Sequence, residues 1–239
     1  MSHSRKKVEI VPVAIVTGAS RGFGRALARS IAIDGWSLVL DARHPQELET
    51  TRAELAVLGA EVIAIAGNVN SADHRAALIE SARGLRSLDL LVNNASTLGP
   101  SPLPSLEIYG LEELRDLFEV NTLAPLALIQ LALPLLKQSH GTVVSLTSDA
   151  AVEAYEGWGG YGSTKAALDQ LHRVLAKEVT EVHFYTFDPG DMRTEMHQAA
   201  FPGEDISDRP EPEEVVPALR SLLDSGAPSG RYGASELAS

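Results

Sequence analysis

The 239-residue chain contains no cysteine, which excludes disulfides, thiolate metal sites and a cysteine nucleophile together. A reducing, cytoplasmic setting is the expectation that follows. Its seven histidines are scattered, and none forms the His-x-x-x-His pair that puts two imidazoles on one helix face, so no metal site is expected. No run of 18 apolar residues occurs, and no membrane partner is expected. The opening "MSHSRKKVEI" leads straight into a strand-like segment without the apolar stretch and cleavage site of a secretory signal. Positive charge is also scarce, with 20 Lys and Arg against 32 Asp and Glu. Nucleic-acid binding relies on a basic face, so that class of partner is set aside. What remains, 44% hydrophobic and 22% charged residues, is ordinary globular composition with enough apolar material for a full core.

That material is distributed in a rhythm. Short apolar, β-branched runs recur at "VAIVT" (13–17), "SLVL" (37–40), "EVIAIAG" (61–67), "LDLLVN" (88–93), "GTVVSLT" (141–147) and "EVHFYTF" (181–187). Segments of helical period lie between them, such as 25–35 and 46–60. Continuous apolar strands alternating with helices imply a parallel sheet covered on both faces. The expected fold is therefore α/β, a doubly wound, Rossmann-like parallel sheet. One domain over 12–239 is expected after an N-terminal tail of 1–11, since no Pro/Gly/Ser-rich linker interrupts the strands. Two stretches break the pattern. Residues 94–109 carry Pro100, Pro102 and Pro104 and read as a loop before a long helix from Leu111; residues 189–212 carry four prolines and read as a substrate loop. A last helix is expected over 213–224, followed by at most a short edge strand.

The first strand runs into "TGASRGFGRALA", with Gly18, Gly22 and Gly24 at a strand-to-helix turn. Glycines there permit a tight turn and close backbone approach, and the helix start offers free N–H groups to a pyrophosphate, so a dinucleotide site is expected. Further along, "GGYGSTKAAL" places Tyr161 one helical turn before Lys165, on the same helix face. A nearby cation favours the ionised form of a phenol, and this spacing predicts a Tyr161 pKa below its ordinary value of about 10.

Taken in order, these motifs resemble those of the single-domain short-chain dehydrogenase/reductase family, from about Val13 to Thr194. "TGASRGFG" is similar to the family's cofactor turn and "NNAS" (93–96) to its Asn-Asn-Ala-Gly motif, with Ser96 in place of the glycine. Asn121 in "FEVNTLAP", Ser148 in "SLTSDAA" and the Tyr161/Lys165 pair match its catalytic set, and "DPGDMRT" (188–194) matches the segment at the nicotinamide end. The resemblance implies cofactor contacts from Gly18, Ser20, Arg21, Gly22, Phe23, Gly24, Arg43, Asn68, Val69, Asn94, Ala95, Tyr161, Lys165, Pro189, Gly190, Met192 and Thr194. It implies that Ser148 binds the substrate oxygen, that Tyr161 transfers the proton, that Lys165 holds the cofactor ribose, and that Asn121 holds a water linking Lys165 to solvent.

Cofactor choice turns on "GWSLVLDARH". The family position that holds an acid in NAD-preferring members falls on Ala42, followed by Arg43. Arg43 and Arg21 could clamp a 2′-phosphate, which favours NADP(H) over NAD(H); Asp41, one residue earlier, points the other way. Tyr155 and Trp158 are candidate substrate contacts. The expected activity is the interconversion of a small-molecule carbonyl and an alcohol, with a catalytically idle nucleotide sensor on the same fold as the alternative. An epimerase of the longer branch would need a larger substrate domain than the roughly 45 residues after Thr194 provide. The apolar helices at 111–138 and 161–179, whose family counterparts pair across a two-fold axis, predict a homodimer or homotetramer.

Overall fold

The computed structural model describes residues 11–237, so the expected N-terminal tail lies, but for its last residue, outside the described residues. Strands β1 (Val13–Val16), β2 (Ser37–Ala42), β3 (Val62–Ala66), β4 (Leu90–Asn93), β5 (Thr142–Leu146), β6 (His183–Asp188) and β7 (Gly230–Gly233) pair in the order β3-β2-β1-β4-β5-β6-β7. Every neighbouring pair is parallel. The chain thus starts in the middle, winds out through β3, then returns past β1 to wind the other way. The reversal leaves a crevice beyond the carboxyl ends of β1 and β4, where such sheets bind ligands.

Helices α1 (Gly22–Ile33), α2 (Pro45–Ala56) and α8 (Pro212–Ser225) cover one face of the sheet. On the other lie α3 (Ala72–Gly84), α5 (Ala124–Ser139) and α6 (Gly159–Glu178). The alternation of strand side chains divides β2 between the two cores: Leu38, Leu40 and Ala42 join the first, and Val39 joins the second. The expected helix at 111 begins there as α4 (Leu111–Phe118) and continues through a wide π turn, Glu119–Leu123, into α5. From Leu111 to Ser139 it is long and apolar enough, by length and composition, to cross a membrane. In this fold Leu128, Ile129, Ala132 and Leu136 spend that apolarity on the sheet.

The stretch 189–212, expected as a loop, is not all loop. It holds a short helix, α7 (Glu195–Ala200), whose start is capped by the Thr194 hydroxyl accepting from the His197 N–H. The edge strand β7 is four residues long and is followed by α9 (Ala234–Leu237).

Candidate active site

The glycine turn is pinned from β4. Thr17 Oγ1 accepts from the N–H groups of Asn94 and Ala95, both at 3.0 Å, while Asn94 Nδ2 donates to the carbonyls of Thr17 at 2.9 Å and Gly18 at 3.0 Å. The Asn94 side chain is therefore committed to shaping the turn. Gly24 lies so close beneath it that an added Cβ would stand 2.5 Å from the Gly18 oxygen. Helix α1 starts without a side-chain cap, which leaves its first N–H groups for an anion.

This turn forms one end of a cleft of about 820 Å³, within the size range of small-molecule sites. Gly18, Ser20, Arg21, Gly22 and Phe23 line it from the turn; Arg43, Asn68, Val69 and Ala95 from the strand ends; Pro189, Gly190, Met192 and Thr194 from the loop after β6. Gly24 does not line it and supports it from behind. At the end of β2 the two acidic alternatives separate. Asp41 is 1% exposed and turns toward α3, where its Oδ1 lies 2.6 Å from His74 Nε2, while Arg43 is exposed. Arg21 forms an ion pair with Glu195 that ties the glycine turn to α7 across the cleft.

At the other end the cleft gathers Ser148, Tyr161 and Lys165. Ser148 starts the short turn Asp149–Ala151 after β5; its hydroxyl donates to Asp149 Oδ1 at 2.9 Å and accepts from the Ala150 N–H at 3.2 Å. Tyr161 packs on Ala150 and Leu98, with the Trp158 ring edge-on at 5.8 Å. Lys165 Nζ stands 5.4 Å from the centre of the Tyr161 ring and donates to the Leu146 carbonyl at 2.8 Å. Burial presses the Lys165 ammonium down to about 8, with Asp169 opposing. The phenol departs from expectation. Burial pushes the Tyr161 hydroxyl well above its ordinary value, the neighbouring Ser96 hydroxyl pulls against this, and Asp188 and Asp149 push further up. Desolvation of the charged form outweighs the helix-face cation.

Asn121 sits on the π turn, 1% exposed and out of the cleft. Its Oδ1 accepts from Ser96 Oγ at 3.0 Å and the Thr97 N–H at 2.9 Å; its Nδ2 donates to the Thr97 carbonyl at 2.9 Å and Thr164 Oγ1 at 3.1 Å. Those four bonds exhaust the amide. The side chain ties the loop after β4 to α6.

A family model described as short chain dehydrogenase matches residues 12–205. The chain belongs to the short-chain dehydrogenases. It is 35% identical over 201 residues to the sepiapterin reductase of Rattus norvegicus, covering 79% of this chain and 77% of that protein. The serine 3-dehydrogenase of Agrobacterium fabrum is 34% identical over 186 residues, covering 76% and 72%. Among solved structures, an alcohol dehydrogenase from Thermococcus sibiricus complexed with 5-hydroxy-NADP superposes with a TM-score of 0.84 at 31% identity, over 93% of this chain and 95% of its own.

In this short-chain dehydrogenase, Trp158 lines the cleft and Tyr155 does not; the Tyr155 hydroxyl is spent on Asp149 Oδ2 at 3.0 Å. Several residues at the dehydrogenase site carry no motif that sequence reading could use. His74 and Arg231 fall into this group, because each acts through a partner more than thirty residues away; Thr17 stands in the glycine-turn motif, but its hold on Asn94 and Ala95 is not legible there. Ser96 stood out as a departure from the family glycine, and the structure gives that hydroxyl a place between Asn121 and Tyr161.

Proposed function

We propose that this short-chain dehydrogenase is an NADP(H)-dependent oxidoreductase that interconverts a carbonyl and an alcohol, most plainly as a carbonyl reductase. The observation that carries the reading is the meeting of Ser148, Tyr161 and Lys165 in the cleft that the glycine turn closes at its far end. The residues present suit a dinucleotide: a glycine turn at the mouth of β1, uncapped N–H groups at α1, and a Pro189–Gly190 segment opposite. A bound nicotinamide nucleotide supplies or takes the hydride at the reacting carbon. For reduction, Ser148 turns its hydroxyl from Asp149 to the substrate oxygen and stabilises the charge that develops there. The Tyr161 hydroxyl gives its proton to that oxygen; its raised pKa keeps it protonated, and so competent as an acid, at neutral pH. Lys165 stays mostly charged at pH 7 and replaces the proton's positive field beneath the phenolate. With the Asn121 amide exhausted, any water that residue holds is held by its main chain.

Asp41 supports the choice of NADP(H). It is buried and engaged with His74 at the floor of the cleft, while Arg43 is exposed at its rim, with Arg21 beside it, held by Glu195, for a 2′-phosphate. Relatives named for sepiapterin, serine and diacetyl are consistent with a small carbonyl or hydroxyl substrate. A catalytically idle sensor has no use for a proton donor assembled beside a serine and a lysine. A panel of ketones, aldehydes and alcohols followed by NADPH absorbance tests the reading. Turnover is the expected result; tight NADPH binding with no turnover across the panel would replace it.

A further inference from the structure

Strand β7 sends one side chain into the back of the catalytic end. Arg231 Nη2 donates to the Ser148 carbonyl at 3.0 Å and to Asp188 Oδ2 at 2.8 Å, and its Nε lies 3.3 Å from Asp169 Oδ2. The three partners come from the turn after β5, the end of β6, and α6 one turn beyond Lys165. The Asp169 side chain is 4% exposed and its carboxylate has no hydrogen-bond partner among the described residues, so its charge is met by the guanidinium at ion-pair distance and by the field of Lys165 one turn back. Asp188, 13% exposed, leads directly into Pro189–Gly190. A buried carboxylate without its cation is costly, so these contacts hold the three elements in one arrangement.

We propose that Arg231 is a positioning residue of the hydride-transfer site: its planar fork fixes the Ser148 peptide against Asp188 and Asp169, so that β7 sets the geometry of the reacting centre. The role rests on the carbonyl–alcohol reading above. Ser148 must place its hydroxyl within hydrogen-bond reach of the same oxygen that Tyr161 protonates. The Ser148 carbonyl, three bonds from the side chain's own Cβ, is where Arg231 holds it. The charged and titratable groups around this centre are Tyr161, Lys165 and Asp169 from α6, Asp188 from β6, Asp149 from the turn and Arg231 from β7. Removing the guanidinium leaves one buried and one partly buried carboxylate, Asp169 and Asp188, facing Lys165 and Tyr161 without that balancing charge. A lysine at 231 would carry the charge but could not span three partners.

The test uses the full chain and reads both the site and its turnover. Arg231→Met keeps the aliphatic stem and removes the fork. It is expected to retain NADPH binding while kcat for carbonyl reduction falls about ten- to a hundredfold with little change in KM, the penalty of a displaced catalytic group. In substrate-free ¹³C-lysine NMR, the Lys165 resonance, assigned by its loss in Lys165→Met, should titrate at higher pH in Arg231→Met, because Asp169 then favours the ammonium unopposed. Arg231→Lys should return that titration toward wild type while kcat stays low. If Arg231→Met does not fold, the double variant Arg231→Met/Asp169→Asn removes both charges together and should show the same low kcat. A folded Arg231→Met, or the double variant, with wild-type kcat overturns the proposal. A wild-type protein that reduces nothing, in which Lys165 still responds to Arg231, removes the functional reading and leaves Arg231's hold on the site supported.

Discussion

Gly24→Ala is the smallest change that the glycine turn should not tolerate. The added methyl would stand 2.5 Å from the Gly18 carbonyl oxygen, and closer still to Asn94 Nδ2. That is about 1 Å short of ordinary van der Waals separation, and the oxygen is backbone that cannot swing aside. Either α1 moves off the sheet or Asn94 gives up its bonds to Thr17 and Gly18. Overpacking of this kind costs about 1–3 kcal/mol, which for a domain of this length lowers Tm by roughly 2–12 °C. The nucleotide should suffer more than the fold, because the displaced turn is the part of the cleft that receives it. Thermal unfolding and NADPH fluorescence titration measure the two effects side by side. A double-mutant cycle with Asn94→Ala sharpens the test. Removing the amide relieves one contact and leaves the Gly18 oxygen in place, so the double variant should recover part of the loss and not all of it. Unchanged Tm and NADPH affinity in Gly24→Ala would refute the reasoning.

Tyr161→Phe keeps the ring and removes the hydroxyl, so it should fold and bind nucleotide normally while turnover falls by at least ~10²-fold; near-normal turnover would remove Tyr161 as the acid. Arg43→Ala should weaken NADPH by about 1.5–3 kcal/mol, roughly ten- to a hundredfold, and leave NADH kinetics unmoved. Lys165 is held near 8 by burial against 10.5 in the open chain, a penalty of roughly 3 kcal/mol below pH 8, reduced by its bond to Leu146. Because the unfolded chain binds that proton more tightly, stability should rise with pH between about 8 and 10.5; Lys165→Met should be the more stable protein at pH 7 in urea melts, inactive, and lose that advantage by about pH 10. Leu131, 43% exposed on α5, and Val174, 41% exposed on α6, lie on the helices proposed to pair, so light scattering should show a dimer or tetramer that Leu131→Glu dissociates.

Six of the strands were legible because parallel strands covered on both faces read as unbroken apolar runs, and the glycine turn because its chemistry is local in sequence. Boundaries shifted by a residue or two. The run at 37–40 extends to Ala42, since Asp41 finds a buried partner that no local pattern announces. The helix within 189–212 is carried by six residues and a threonine cap, too little for periodicity to register. The direction of the Tyr161 shift escapes the sequence for a similar reason. Spacing shows that Lys165 lies beneath the ring, but it is blind to the burial and the carboxylates of Asp188 and Asp149, which come from elsewhere in the chain. Asn121 is singled out in the sequence only by its match to the family's active-site asparagine. What its amide does depends on Ser96, Thr97 and Thr164, and only the folded arrangement brings them together.

The order of the sheet also divides the cleft between distant parts of the chain. Strands β1 to β4 and the turns they carry, all within the first hundred or so residues, supply the glycine turn and one wall of the cleft, which the loop after β6 completes. The Ser148 end depends on β7, the last strand in the chain, which pairs with β6 and brings Arg231 to a serine more than eighty residues earlier. A chain that stopped short of β7 would keep the glycine turn and lose the arginine behind Ser148, so the two ends of one cleft answer to opposite ends of the chain.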